Sequence, residues 1–293
     1  MEFNSMINRF LMRDLESNKR RLYIKTYAVT PLNEECGLIE WVNNLRTLRD
    51  IVTRLLKDRG VSVNYSEIRR NLDEACSDDS KLSVFREKVL KKCPPVLHEW
   101  FVETFPEPAT WFAARLKYTR SSAVMSMVGY SLGLGDRHGE NILFEEETGG
   151  ILHVDFNCLF DKGLTFDKPE LVPFRLTHNM TDAYGAYGYN GPFRKTCELT
   201  LGLLRQNEDS LMTILETFLH EPTTDFIGKK KRHNPRVPDT PEGVLELIRN
   251  KLRGLLPGES VPLSVGGHVD ELILQATQDK NLAAMYIGWC PFF

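Results

Sequence analysis

Between Gly133 and Phe156 the sequence carries Asp136, His138, Asn141 and Asp155, in the order Gly-Asp-Arg-His-Gly-Glu-Asn, a polar hairpin, then Asp-Phe-Asn. Phosphoryl transfer asks for such a set. It needs a carboxylate beside the attacking hydroxyl, and hard oxygen ligands that hold Mg²⁺ against the β- and γ-phosphates. An Asp followed by an Asn one tight loop later supplies the first carboxylate and one metal ligand. A second Asp at the end of the next hairpin can face the same point, and a nearby His can offset charge developing on the transferred group. The D-x-x-x-x-N spacing alone often arises by chance, and a lone His is more often a hydrogen-bonded structural residue. Placement sets this group apart: it follows an apolar helix and precedes a hairpin that ends in Asp-Phe.

The elements that must hold the loop can be read from periodicity. Phe3, Ile7, Phe10 and Leu11 recur at helical spacing, so the chain opens within an amphipathic helix that has no N-cap residue. Residues 22–32 and 36–42 are short β-rich runs around a Pro-Leu-Asn turn. From about 45 to 130 the pattern is helical, with a stripe of Leu45, Leu48, Ile51, Val52 and Leu55 and further stretches at 80–90 and 97–105. Residues 120–135 are apolar nearly all round, as in a helix through the centre of a domain. Two short β runs (141–144 and 151–156) flank the turn Thr148-Gly149-Gly150, and an irregular segment leads to about 178. Helical periods then resume through 193–206 and 209–222. Residues 222–241 are a Pro-rich basic stretch that reads as a loop; its Lys229–Arg232 run is a solvated loop or a nuclear-import signal. A helix at 242–255 and an apolar tail, with Leu272, Ile273, Ala276 and Leu282 on one amphipathic face, complete an α+β chain.

Composition narrows the function classes. Of 293 residues, 42% are hydrophobic and 26% charged, ordinary globular values, and the length suits one large domain or two small ones. A net charge of −3 gives no reason to expect a nucleic-acid or membrane surface, and no apolar run reaches the roughly 18 residues that a membrane span requires. The six cysteines are scattered without a C-x-x-C pair, which predicts buried thiols rather than a metal site.

The order G-D-R-H-x-x-N followed by H-V-D-F places the His after the Asp. With AVMSMVGYSLGLGDRHGENIL, HVDFNCLF and PELVPFRLTHNM, it resembles the phosphatidylinositol 3-kinase-related protein kinases, and Asn157 after Asp-Phe favours the ATR-like checkpoint type. The ending GGHVDELILQATQDKNLAAMYIGWCPFF is similar to the FATC segment of that family. The resemblance covers the whole chain. It implies a bilobal protein-kinase-like fold with residues 1–44 as the remainder of the small lobe and hinge, 45–265 as a mostly helical large lobe, and 266–293 as the FATC segment. It further implies that Asp136 orients the substrate hydroxyl, that His138 stabilises the transition state, and that Asn141 and Asp155 bind Mg²⁺ (or Mn²⁺ in its place) with ATP. Trp41 would stack on adenine, Val42 would offer backbone hydrogen bonds to it, and Tyr27, Leu143 and Val154 would line its pocket, where plain core packing is the other reading of those three.

The resemblance implies serine/threonine protein kinase activity, with a Ser/Thr-Gln preference, in nuclear DNA-damage checkpoint signalling. Protein substrates and a regulatory subunit held by upstream regions are the partners it implies, with no direct nucleic-acid or membrane contact from this part. The family's phosphate-covering loop, its Lys and the acidic partner of that Lys would all precede Met1, and the chain alone is expected to be nearly inactive. Two alternatives stand beside this reading. A phosphoinositide kinase needs a strongly basic activation segment, but Cys158–Phe174 carries Lys162 and Lys168 against Asp161, Asp167 and Glu170. A non-catalytic scaffold would dock partners through 58–110 and the tail. The aromatic tail itself, Met285 to Phe293, either completes the core or holds the activation segment in an active shape.

Overall fold

The computed structural model describes residues 1–33, 35–75, 77–220, 234 and 237–293; most of the expected basic loop, with its Lys229–Arg232 run, lies outside the described residues. The chain opens with helices α1 (Glu2–Arg13) and α2 (Leu15–Lys19), and Met1 gives α1 no side-chain cap. Ile7 and Leu11 of α1 are fully buried, and Phe3 and Phe10 pack against the same core. Asp14 ends α1 and starts α2, where its carboxylate accepts from the Ser17 amide. Strands β1 (Val29–Pro31) and β2 (Gly37–Ile39) pair antiparallel, and the residues of both strands are exposed. The β-rich reading of 22–42 therefore holds only in part: Leu22 and Ile24 are buried, but in irregular backbone.

Leu45 corrects the helical stripe. It lies in β3 (Leu45–Thr47), and α3 (Leu48–Asp58) starts only after Thr47, whose hydroxyl accepts from the Asp50 amide. β3 pairs with β4 (Ile142–Glu145), and β4 with β5 (Ile151–His153), all antiparallel, so that Leu45 faces Glu145 and Leu143 faces Leu152. A partner so distant in sequence leaves no trace in local periodicity. Leu48, Ile51, Val52 and Leu55 do form the buried face of α3.

Helices α4 (Tyr65–Asp73), α5 (Asp78–Val84), α6 (Leu97–Thr104) and α7 (Pro108–Leu132) follow. The expected helix over 80–90 divides, since Phe85–Leu90 winds as a π-helix. The 58–110 region is part of the body: Trp100 and Phe101 are buried against Phe144, with ring centroids 5.3 and 6.3 Å away. α7 is the central element. It is buried on every side from Ser121 to Leu132, and its serines find partners, as in the 2.8 Å contact between the Ser122 and Tyr184 hydroxyls. Pro108 at its start suits the first turn, where an amide would lack a partner. Gly133 stops it at φ +60°, where a side chain would also collide with Asp161.

Beyond the loop come α8 (His178–Asp182), α9 (Pro192–Gln206), which packs along α7, and α10 (Glu208–Leu219). α11 (Pro241–Arg253), α12 (Val265–Thr277) and α13 (Asp279–Ala284) close the chain. Gln278 breaks the tail helix, so Leu282 sits on α13 rather than on the α12 face of Leu272, Ile273 and Ala276. Phe292 and Phe293 are fully buried, and their rings lie 6.3 and 6.4 Å from Tyr65 of α4. Burying such a side chain contributes about 1.5–3 kcal/mol. The tail is therefore core.

Candidate active site

The loop 133–141 leaves the end of α7 and enters β4, so its two ends are set by the most buried helix and a central strand. Its first residues lie alongside the activation segment. Phe160 and Asp161 donate amides to Leu132 and Gly133 carbonyls at 2.8 and 3.0 Å, and Gly135 donates to the Cys158 carbonyl at 2.8 Å. Asp136 and Asp155 both adopt left-handed backbone, at φ +56° and +57°. Non-glycine residues persist there only when neighbours hold them.

Those neighbours are visible. The Asp136 amide donates to both carboxylate oxygens of Glu170, at 2.9 and 3.0 Å. Its carbonyl accepts from Asn141 Nδ2 at 2.8 Å. Arg137 is buried, and its guanidinium donates to the carbonyls of Gly135 (2.9 Å), Val154 (2.7 Å) and Asp155. The same chain segment that presents Asp136 thus also fixes Asp155.

Two oxygens suited to a metal remain available. Asn141 is buried and spends its amide nitrogen on Asp136, which orients Oδ1 away from that carbonyl. Asp155 is exposed, and among the described residues its Oδ1 accepts only the Asn157 amide, at 3.1 Å. One carboxylate and one amide oxygen fit Mg²⁺, which usually completes its shell with water and nucleotide phosphates. Among the described residues no cluster of three or more His, Cys, Asp or Glu forms an all-protein metal cage.

His138 is half-buried, and burial holds its pKa below the usual value although Asp136 pulls the other way. Its Nδ1 accepts from the Glu140 amide at 3.2 Å, so the proton of the neutral ring sits on Nε2. Tyr27 is half-buried, and burial raises its pKa, with smaller influences from the nearby charges of Arg137 and Asp155. Leu143 and Val154 are half-buried on and beside the β4–β5 hairpin, where the Val154 amide bonds to the Asn141 carbonyl at 3.1 Å. Val42 is half-buried, and Trp41 stands 86% exposed in the segment joining β2 to β3.

Sequence reading missed the residues that hold the loop. Glu170 was counted only as one acid of the activation segment, and Arg137 and Arg175 carried no role. Arg175 is fully buried and donates to the carbonyls of Trp289 (2.6 Å), Cys290 (2.7 Å), Arg137 (3.3 Å) and Phe293 (3.5 Å), with its guanidinium 4.2 Å from the Trp289 ring. The tail meets the activation segment directly, where the Leu171 amide points at Met285 Sδ (3.5 Å). Arg49 joins the same assembly through the Gly288 carbonyl (2.6 Å) and Glu140 (3.3 Å). An arginine inside an otherwise apolar run, Pro-Phe-Arg-Leu, was the available signal.

A search of protein-family models matches residues 1–227 to "Phosphatidylinositol 3- and 4-kinase" and residues 262–293 to "FATC domain". The chain belongs to the phosphatidylinositol 3- and 4-kinase family. Over its full length it is 53% identical to "Protein kinase rad3" of Schizosaccharomyces pombe and 46% identical to "Serine/threonine-protein kinase ATR" of Arabidopsis thaliana. It spans only 12% and 11% of those two proteins. Among solved structures, "FAT and kinase domain of CtTel1" matches 99% of this chain and 20% of that one, at a TM-score of 0.85 and 34% identity. This bears out the expected kinase-like α+β fold and its family. It also bears out the ATR-like resemblance.

Proposed function

We propose that this chain is the catalytic portion of an ATP-dependent protein serine/threonine kinase that prefers Ser or Thr followed by Gln and works in nuclear DNA-damage checkpoint signalling. Residues 1–44 serve as the remainder of the small lobe and hinge, 45–265 as the large lobe and 266–293 as the FATC segment. The observation that supports the reading is the bracing of the loop that carries Asp136, His138 and Asn141: the Asp136 carbonyl accepts from Asn141, and Arg137 of the same loop donates to the Asp155 carbonyl.

In this reading Asp136 orients the substrate hydroxyl and accepts its proton, and the Nε2–H of His138 faces the transferred phosphoryl group. Asn141 Oδ1 and the Asp155 carboxylate hold Mg²⁺, which supplies charge neutralisation at the phosphates. Trp41, Val42, Tyr27, Leu143 and Val154 receive adenine. Protein rather than lipid is the favoured acceptor. Cys158–Phe174 carries Lys162 and Lys168 as its cations, and Lys168 is engaged by Asp73 at 3.2 Å, which leaves little positive charge for a phosphorylated headgroup.

The test is a chimera in which this chain replaces the matching stretch of the rad3 protein. It should phosphorylate a Ser/Thr-Gln peptide, and Asp136→Ala or Asp155→Ala should each abolish transfer with little change in melting temperature. Near-normal turnover in either variant would overturn the site assignment, and a folded chimera with neither Mg·ATP binding nor turnover would favour a scaffold.

A further inference from the structure

The carboxylate of Glu170 occupies a slot built for it. Gly135 and Gly163 flank Oε2 so closely that a Cβ on either would overlap it. The slot is anchored from below by the Glu170 amide, which donates to the Gly163 carbonyl at 3.1 Å. From the slot, both oxygens receive the amide of Asp136. Beyond this contact the carboxylate borders a cavity of about 730 Å³, lined also by Leu134, Leu171, Lys251 and Gln275.

We propose that Glu170 is a positioning residue for phosphoryl transfer, which holds the left-handed backbone of Asp136 and thereby aims its side chain at the substrate hydroxyl. This rests on the kinase reading above and adds a residue to it. Asp136 at φ +56° has a strained backbone, and its one amide is spent entirely on Glu170. Asn141 fixes the other end of the same residue through its carbonyl. Without Glu170 the amide loses its acceptor, and the peptide before Asp136 is free to rotate toward an ordinary conformation. Such a rotation moves the Asp136 side chain by an ångström or more. A misplacement of about 1 Å costs on the order of 100-fold in rate. The adenine-binding residues and the Asp155 backbone, held by Arg137, stay in place. The loss therefore falls on kcat and not on nucleotide binding.

Three measurements test this. In the rad3 chimera, Glu170→Ala should lower kcat on the order of 100-fold with KM for ATP within about 2-fold, because Asp136 alone is displaced. Glu170→Gln keeps a side-chain carbonyl to accept the Asp136 amide, and should recover at least about 10-fold of that loss. In the 293-residue chain itself, hydrogen exchange at the Asp136 amide should accelerate in Glu170→Ala while that of α7 stays unchanged. An Asp136→Ala control that is dead beside an active parent chimera keeps the kinase reading intact, whatever Glu170 does. If Glu170→Ala keeps kcat within about 3-fold of the parent, or if KM for ATP rises in step with the fall in kcat, the positioning role is wrong. A Glu170→Gln chimera that is folded yet no better than Glu170→Ala would also overturn it.

Discussion

Replacing Arg175 by Ala should loosen the tail and the candidate catalytic loop together. The substitution removes two short bonds, to the Trp289 carbonyl at 2.6 Å and the Cys290 carbonyl at 2.7 Å. Each buried acceptor stranded in this way costs about 1–3 kcal/mol. Losing the stack on Trp289, at 4.2 Å, adds about 0.5–2 kcal/mol. One effect runs the other way. The guanidinium is fully buried, and its pKa is pushed down to about 10 chiefly by burial, so deleting it recovers part of a desolvation cost. The net loss is about 2–4 kcal/mol, a large share of the 5–15 kcal/mol typical of a domain. At about 2–3 °C per kcal/mol for a chain of this size, the melting temperature should fall by about 5–10 °C. Arg175→Lys should recover less than half, since one ammonium cannot serve carbonyls that a planar fork reaches together. Differential scanning calorimetry reads the first quantity, and hydrogen exchange by mass spectrometry reads the second. Peptides covering 286–293 and 134–141 should both lose protection, because the same guanidinium reaches the Arg137 carbonyl at 3.3 Å. A variant that melts within about 1 °C of the parent with both peptides unchanged would refute the clamp. Loosening of the tail alone would refute its link to the loop.

Three further outcomes follow from the site. Burial lifts the Glu170 carboxyl to about 7, so the fold favours its protonated form; the stability this contributes is full below about pH 4.5 and is lost as pH rises through 7. Urea unfolding at pH 5 and pH 8 should therefore show parental stability falling relative to Glu170→Gln by a few kcal/mol, and parallel behaviour of the two would contradict the buried-carboxyl reading. Trp41→Ala in the rad3 chimera should raise KM for ATP about 10-fold with a melting shift under about 1 °C, since the ring is 86% exposed and supports no core; an unchanged KM would remove Trp41 from the adenine site. The 293-residue chain alone, whose first glycine is Gly37, carries no glycine-rich loop ahead of Tyr27 and should turn over peptide at least about 10³-fold more slowly than the chimera; robust turnover by the chain itself would show that the phosphate-covering parts are dispensable.

What was legible in the sequence was whatever is local. The buried faces of α1 and α3, the all-round apolar run of α7 and the two strands of the β4–β5 hairpin each announce themselves within a dozen residues or so. The residues of the candidate site were legible because their order is tied to one turn and one hairpin. The missed features are long-range. Leu45 joins a sheet through Glu145, a partner a hundred residues away, and its spacing to Leu48 imitates a helix. Gln278 separates α12 from α13 by a backbone choice, ψ 117°, in a stretch whose apolar period continues across it. The supports of Asp136 were invisible for the same reason: nothing in Pro-Glu-Leu says that a glutamate will cross to a backbone amide in another segment.

The tail shows how such distant contacts remove a choice that the sequence left open. Core completion and control of the activation segment looked like rival roles for residues 286–293. In the structure they are one set of contacts. Phe292 and Phe293 fill space against Tyr65, while the backbone carbonyls at 289 and 290 are the acceptors for Arg175, which also holds the carbonyl of Arg137 in the candidate catalytic loop. The Asn179 amide group bridges in parallel, accepting from the Val96 amide at 2.7 Å and donating to the Phe292 carbonyl at 3.4 Å. A deletion of 286–293 therefore exposes buried aromatic surface and strands a buried guanidinium at once. It cannot lower activity while sparing the melting temperature, as a purely regulatory tail would allow. Separating the two roles requires a change that keeps the rings and removes only the fork, which is why Arg175, and not the tail itself, is the informative position.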